Sequence, residues 1–138
     1  MDQKATMLSK CQIFAGLSAR DLAEVGRLAD EVDVPSGKVV AREGAAGHEF
    51  FVILDGKVDI TKGGKLVNTM GPGDFFGELA MLGKVPRSAT VTAAAPTRLL
   101  VVGHREFTSL LTSHPAIRDK VLKAVAGWIS DLAPGRAV

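Results

Sequence analysis

Apolar residues follow three rhythms along this chain, and each predicts a different kind of element. In the first thirty residues the spacing is helical: Leu8, Ile13, Phe14 and Leu17 lead to Ser18, a natural N-cap for a helix carrying Leu22, Val25, Leu28 and Ala29. Asp21 lies three residues after Ser18, the spacing of a capping box, although Asp is a weaker partner there than Glu or Gln. From Glu31 the period falls to two. Val32 and Val34 alternate with charged residues, Pro35-Ser36-Gly37 makes a turn, and Val39-Val40-Ala41 follows. Further apolar runs at Phe50 to Leu54, Val58 to Thr61, Leu66 to Met70, Ser88 to Ala93 and Arg98 to Val102 give about seven or eight strands. Asp55-Gly56 and Gly63-Gly64 separate some of these runs, and both dipeptides accept the positive φ of hairpin turns. Strands about 8 to 12 residues apart predict a sandwich, jelly roll or barrel instead of alternating βαβ units. After Gly103 the helical period returns with Phe107, Leu110 and Leu111. Pro115 suits the first turn of a second helix, along which Ile117, Val121, Val125, Trp128, Ile129 and Leu132 recur until Pro134-Gly135.

Composition narrows the function classes. With 138 residues, 46% hydrophobic and 23% charged, the chain has enough apolar surface for one compact domain and is not disordered as its main state. Its net charge of +2 arises from a small excess of basic residues without a block of like charge, so no nucleic-acid-binding face is expected. The single cysteine, Cys11, cannot form an internal disulfide and lacks an adjacent histidine or basic cluster to activate it; it reads as a small buried residue in a cytoplasmic protein. No apolar run approaches the roughly 20 residues of a membrane span, and membrane insertion is not expected. His48, His104 and His114 are far apart without a His-x-His pair, which weakens the reading of a metal-dependent barrel enzyme.

The chemistry concentrates between Gly71 and Thr90. A short helical stretch, Glu78 to Leu82, interrupts the strands and is too short to be stable alone. Preceded by glycine, it presents unpaired N–H groups and a positive dipole end, the elements of an anion site. Arg87 follows nine residues after Glu78, far enough for the chain to return and bring a planar guanidinium to the same opening. The carboxylate of Glu78 makes sense beside an anion when the ligand also carries hydroxyls, because an ionised carboxylate only accepts hydrogen bonds. A phosphate joined to a ribose meets both demands. Ser88 can add a hydroxyl donor, and the backbone N–H groups of Leu79, Ala80 and Ala89 can complete the cradle. Taken singly, Arg87 would read as a surface ion pair and Glu78 as a helix-start charge; it is their joint placement that favours a ligand.

Phe76-Gly77-Glu78-Leu79-Ala80 and Pro86-Arg87-Ser88-Ala89-Thr90 resemble the phosphate-binding cassette of the cyclic-nucleotide-binding domain family, which includes regulatory subunits of the cAMP-dependent kinase, catabolite activator-type regulators and nucleotide-gated channels. The resemblance extends through Ile13 to Ser18, Gly37, Glu43-Gly44, Phe51 to Leu54 with Gly56, and Pro72-Gly73-Asp74. It implies a mainly β fold, an eight-stranded jelly-roll β-barrel flanked by N-terminal and C-terminal helices. The expected organisation is a single domain over residues 1–138: helices to 30, a β-roll over 31–103 with the cassette at 76–90, and helices over 104–133. The resemblance also implies roles: Glu78 to the ribose 2′-hydroxyl, Arg87 to the cyclic phosphate, and Gly77, Leu79, Ala80, Ser88 and Ala89 around the phosphate oxygens. Val67 and Asn68 fall where the family makes base-side contacts and read equally well as plain strand residues. Trp128 is the candidate lid over the base, with core or interface as the commoner use of such a residue. Ser88 after the arginine favours cAMP as the ligand, with cGMP as the competitor and no further cofactor. Ala45 and His48 depart from the family pattern and are expected to affect a surface loop and not the pocket.

The implied function is a non-catalytic receptor domain whose helices, hinged near Gly103 to Phe107, pass ligand binding to a partner protein or to an output domain outside this sequence; a homodimer is left open. Two rivals stand beside it: a jelly roll that senses another small anion, and a non-binding oligomerisation module.

Overall fold

The computed structural model describes residues 6, 8–11, 14–77, 86–119 and 122–123. Helix α1 (Ala19–Leu28) begins where the Ser18 hydroxyl accepts a hydrogen bond from the Asp21 N–H at 3.1 Å, and it buries Leu22 and Val25. Eight strands follow: β1 (Asp30–Val34), β2 (Val39–Ala41), β3 (Glu49–Asp55), β4 (Val58–Lys62), β5 (Lys65–Met70), β6 (Phe75–Phe76), β7 (Thr90–Ala93) and β8 (Thr97–Gly103). Helix α2 (His104–Ser113) comes directly after β8. All strand pairings are antiparallel, in two four-stranded sheets ordered β1-β8-β3-β6 and β2-β7-β4-β5. This is the jelly-roll arrangement that the resemblance implies, one of the three that the strand spacing allows.

Two cores divide the side chains of the first sheet. Phe50, Val52 and Leu54 of β3 and Leu100 and Val102 of β8 pack with Leu22, Val25, Phe107, Leu110 and Ile117 from the helical segments. The intervening residues, Phe51, Ile53 and Leu99, point the other way and meet Val58, Ile60 and Val91 of the second sheet. Phe50 to Leu54 is therefore an unbroken apolar run because β3 is covered on both faces. Strand β6 is the element that periodicity misses. Phe75 and Phe76 pair with Val52 and Phe51 and send one ring into each core: Phe75 lies 5.7 Å from Phe50, and Phe76 stacks on Phe51 at 4.8 Å. Strand β7 starts at Thr90 instead of Ser88, since residues 88–89 form a bend.

One turn is built around a buried hydroxyl. Thr97, 3% exposed, accepts the Lys57 N–H at 3.2 Å and sits 2.8 Å from the Ala95 carbonyl and 3.1 Å from that of Lys57, either of which can take its proton. Gly56 lies against it with φ +97°; an added Cβ would come within 2.5 Å of the Thr97 Oγ1 and 2.6 Å of the Pro96 carbonyl. Glycine is needed there for both backbone conformation and space.

Candidate functional site

Arg87 enters the fold through its own backbone. Its N–H donates to the Ala45 carbonyl at 2.8 Å, and its carbonyl accepts the Gly44 N–H at 2.8 Å, so the residue is clamped to the turn between β2 and β3. That turn is held in its own right, with the Glu43 N–H on Thr90 Oγ1 and the Glu43 carboxylate on the Gly63 N–H, both at 3.0 Å. The guanidinium then runs inward and is 5% exposed. Its Nη2 donates to the Glu49 carbonyl at 2.8 Å and its Nη1 to the Gly77 carbonyl at 3.4 Å, while its Cζ lies 5.7 Å from the centre of the Phe51 ring. Among the described residues, Arg87 and Thr97 are the buried polar or charged side chains. Burying a guanidinium is expensive unless its donors are engaged, and carbonyls together with an aromatic face lower that cost.

Gly77 is shaped to this arrangement. Its φ is +97°, and a Cβ there would stand 2.7 Å from the Glu49 carbonyl oxygen and 2.8 Å from Arg87 Nη1. Gly77 thus lets β3, the arginine and the end of β6 converge. Ser88 is exposed beside Arg87, and Ala89 is fully buried in the core between the sheets.

Val67 and Asn68 lie on β5, which is at the opposite edge of the second sheet from β2. Val67 packs against the inter-sheet core that contains Phe51, the residue whose ring lies under the Arg87 guanidinium. The Asn68 Oδ1 accepts the Thr69 N–H at 2.9 Å. Glu78, Leu79, Ala80 and Trp128 lie outside the described residues. A cavity of about 280 Å³ borders Arg87 on the β2 side, and its walls include Arg42, Ala45, His48 and Glu49. The turn carrying Ala45 and His48 is on the surface, as expected, but it also forms a wall of the cavity that Arg87 lines.

Sequence reasoning did not find the Glu49 carbonyl or the Phe51 ring as supports of Arg87. A backbone acceptor has no signature in the sequence, and Phe51 reads only as one member of an apolar run. Cys11 is buried in the helix-side core, and burial followed by the nearby Asp74 charge pushes its thiol up to about 11, so it is protonated and unreactive at neutral pH. Among the described residues, no cluster of three or more His, Cys, Asp or Glu side chains could hold a metal, and no helix is long and apolar enough to cross a membrane.

This combination of a jelly roll with a buried arginine clamped beside a glycine-opened cassette matches a known class. The family model described as the cyclic nucleotide-binding domain matches residues 31–114, and the chain belongs to that family. It is 34% identical over 124 residues to a cAMP-dependent protein kinase regulatory subunit of Mycosarcoma maydis, an alignment taking in 83% of this chain and 24% of that protein. It is likewise 34% identical over 117 residues to a cyclic nucleotide-gated potassium channel of Rhizobium etli, covering 85% of this chain and 33% of the relative. Among solved structures, cAMP-bound PfPKA-R (141–441) superposes with a TM-score of 0.82 at 28% identity, over 91% of this chain and 44% of that one. The chain thus spans a third or less of the length of these two relatives, whose names assign them different outputs; the shared module does not fix the output.

Proposed function

We propose that this domain is a non-catalytic receptor for cAMP, with cGMP as the weaker ligand, and that occupancy is passed through the helices after Gly103 to a partner protein or an output domain. The observation that carries the reading is the buried Arg87 guanidinium, seated over Phe51 and tied to the carbonyl of Gly77, the residue just before Glu78. A cationic fork held there is suited to a cyclic phosphate, and Glu78 in the next position is suited to the ribose 2′-hydroxyl. Gly77, Leu79, Ala80, Ser88 and Ala89 would surround the phosphate oxygens, and Val67 and Asn68 would meet the base. Residues 1–138 would work as one unit, in the cytoplasm, where cyclic nucleotides are available.

In this mechanism the cassette orders around the phosphate, and the segment after α2, with Trp128 as a lid, moves toward the base. The ligand drives that movement only by its differential affinity for the two positions. Packing of α2 on β3 through Phe107 and Phe50, whose rings are 4.9 Å apart, couples the roll to the helices.

Titration calorimetry with cAMP and cGMP tests the reading. Arg87→Ala is expected to weaken cAMP binding about a hundredfold or more, since removing one partner of a buried charged contact typically costs about 3 to 5 kcal/mol. Unchanged affinity would refute the role of Arg87. Glu78→Gln should lose more affinity for cAMP than for 2′-deoxy-cAMP; equal losses would remove the ribose contact. Trp128 fluorescence should change on saturation with cAMP, and no change would return Trp128 to the core or an interface.

A further inference from the structure

The cavity beside Arg87 carries more positive charge than a single phosphate-binding arginine requires. Arg42, at the end of β2, and His48, in the turn before β3, both line it and both are exposed. The other charged groups on its walls are Arg87 itself and Glu49 at the start of β3. Glu43, the remaining carboxylate of this turn, accepts the Gly63 N–H at 3.0 Å. The cavity lining therefore carries one carboxylate, two guanidinium groups and one imidazole. The backbone on either side of His48 is tied to Arg87. The Ala45 carbonyl, three residues before His48, accepts the Arg87 N–H, and the Glu49 carbonyl, immediately after it, accepts from the Arg87 guanidinium.

We infer that His48 makes anion binding at Arg87 depend on pH, with Arg42 supplying a constant attraction beside it. The inference deepens the cyclic-nucleotide reading and rests on it. Histidine changes charge between about pH 5 and pH 8. A protonated His48 adds a positive charge near the phosphate, so the anionic ligand favours the protonated form, and by linkage binding takes up a fraction of a proton. Affinity is then highest at the acid end of this window and falls as pH rises. Exposure and salt limit the effect, and roughly a threefold to tenfold change between pH 6 and pH 8 is expected at low ionic strength.

The test is calorimetry of the full chain with cAMP at pH 6 and pH 8, repeated at pH 6.5 in buffers of different ionisation enthalpy to count protons. His48→Gln should flatten the ratio of the two dissociation constants and abolish the proton uptake. Arg42→Gln should weaken binding at both pH values and leave the ratio in place. A wild-type ratio of one, or a ratio and proton uptake that survive in His48→Gln, would overturn the inference while leaving Arg87 as the phosphate ligand. Circular dichroism at both pH values establishes that each variant is folded. Absence of cAMP binding by the wild-type chain at either pH would overturn the cyclic-nucleotide reading, and this inference with it.

Discussion

Two places in the molecule have the same construction around different side chains. At one, Gly56 with φ +97° lies against the buried Thr97; at the other, Gly77 with φ +97° lies against the buried Arg87. In each, a glycine without a Cβ lets a turn close over a polar side chain tied to backbone carbonyls. The difference is the chemistry enclosed. Thr97 is neutral and small, and its one donor and its acceptor role are used within the two turns it joins, so the pair completes itself. Arg87 brings a full charge and five N–H donors into the rim of the roll, far more than a turn needs for closure. A hydroxyl closes a fold, whereas a buried guanidinium is retained despite its desolvation cost, which is the expected signature of a binding group.

Substituting both glycines breaks this comparison most severely. Gly56→Ala and Gly77→Ala should each lower unfolding free energy by about 2 to 4 kcal/mol, from positive φ combined with a backbone clash. Denaturant titration measures that loss. Only Gly77→Ala should also weaken cAMP binding by the protein that remains folded, because its Cβ would push on Arg87 Nη1. Equal binding by the two variants would mean that the Gly77 turn is merely structural. At the side chains themselves, Arg87→Lys keeps the charge but loses the planar fork. It should bind cAMP about tenfold or more weakly with stability nearly unchanged. Thr97→Val should do the reverse, removing about 1 to 3 kcal/mol by leaving the Lys57 N–H without its acceptor, while affinity holds. If Arg87→Lys lost stability instead of affinity, the distinction between the two sites would collapse.

The two sites also differ in how readily they are seen in the sequence. The cassette is visible because its chemistry lies in side chains at fixed spacing: Gly77-Glu78 and then Arg87-Ser88. Likewise the Ser18 cap and most of the strands follow from period and turn residues. The Thr97 closure is not visible, since one threonine after Ala95-Pro96 differs in no way from an exposed turn residue until the distant Gly56 is brought against it. Strand β6 was hidden because two residues have no period, and its pairing with β3 comes from tertiary contact. For the same reason the part of Glu49 in holding Arg87 was invisible: its carbonyl does the work, and its side chain advertises only an exposed charge. His48 belongs to this group. Its position on a surface turn was legible, but the fold back of that turn onto Arg87 was not.

Cys11 sharpens the comparison with the smallest effect. It lies in the helix-side core, and its thiol is held neutral by burial and then by the Asp74 carboxylate, which accepts the Gly71 N–H at 2.9 Å. The raised folded-state value, about 11 against an ordinary 9.0, means that the unfolded chain gives up this proton first as pH rises. The contribution to stability is therefore fully present below pH 9 and is lost on going from about 9 to 11. Wild-type protein should lose more unfolding free energy over that interval than Cys11→Ala, and native protein at pH 8 should react with a thiol reagent far more slowly than protein in denaturant. Because Cys11 is not among the proposed ligand contacts, saturating cAMP should leave the pH slope in place and slow labelling only to the extent that it stabilises the folded state as a whole. Protection beyond that amount would link the helix-side core directly to the nucleotide site and place Cys11 with Arg87 instead of with Thr97.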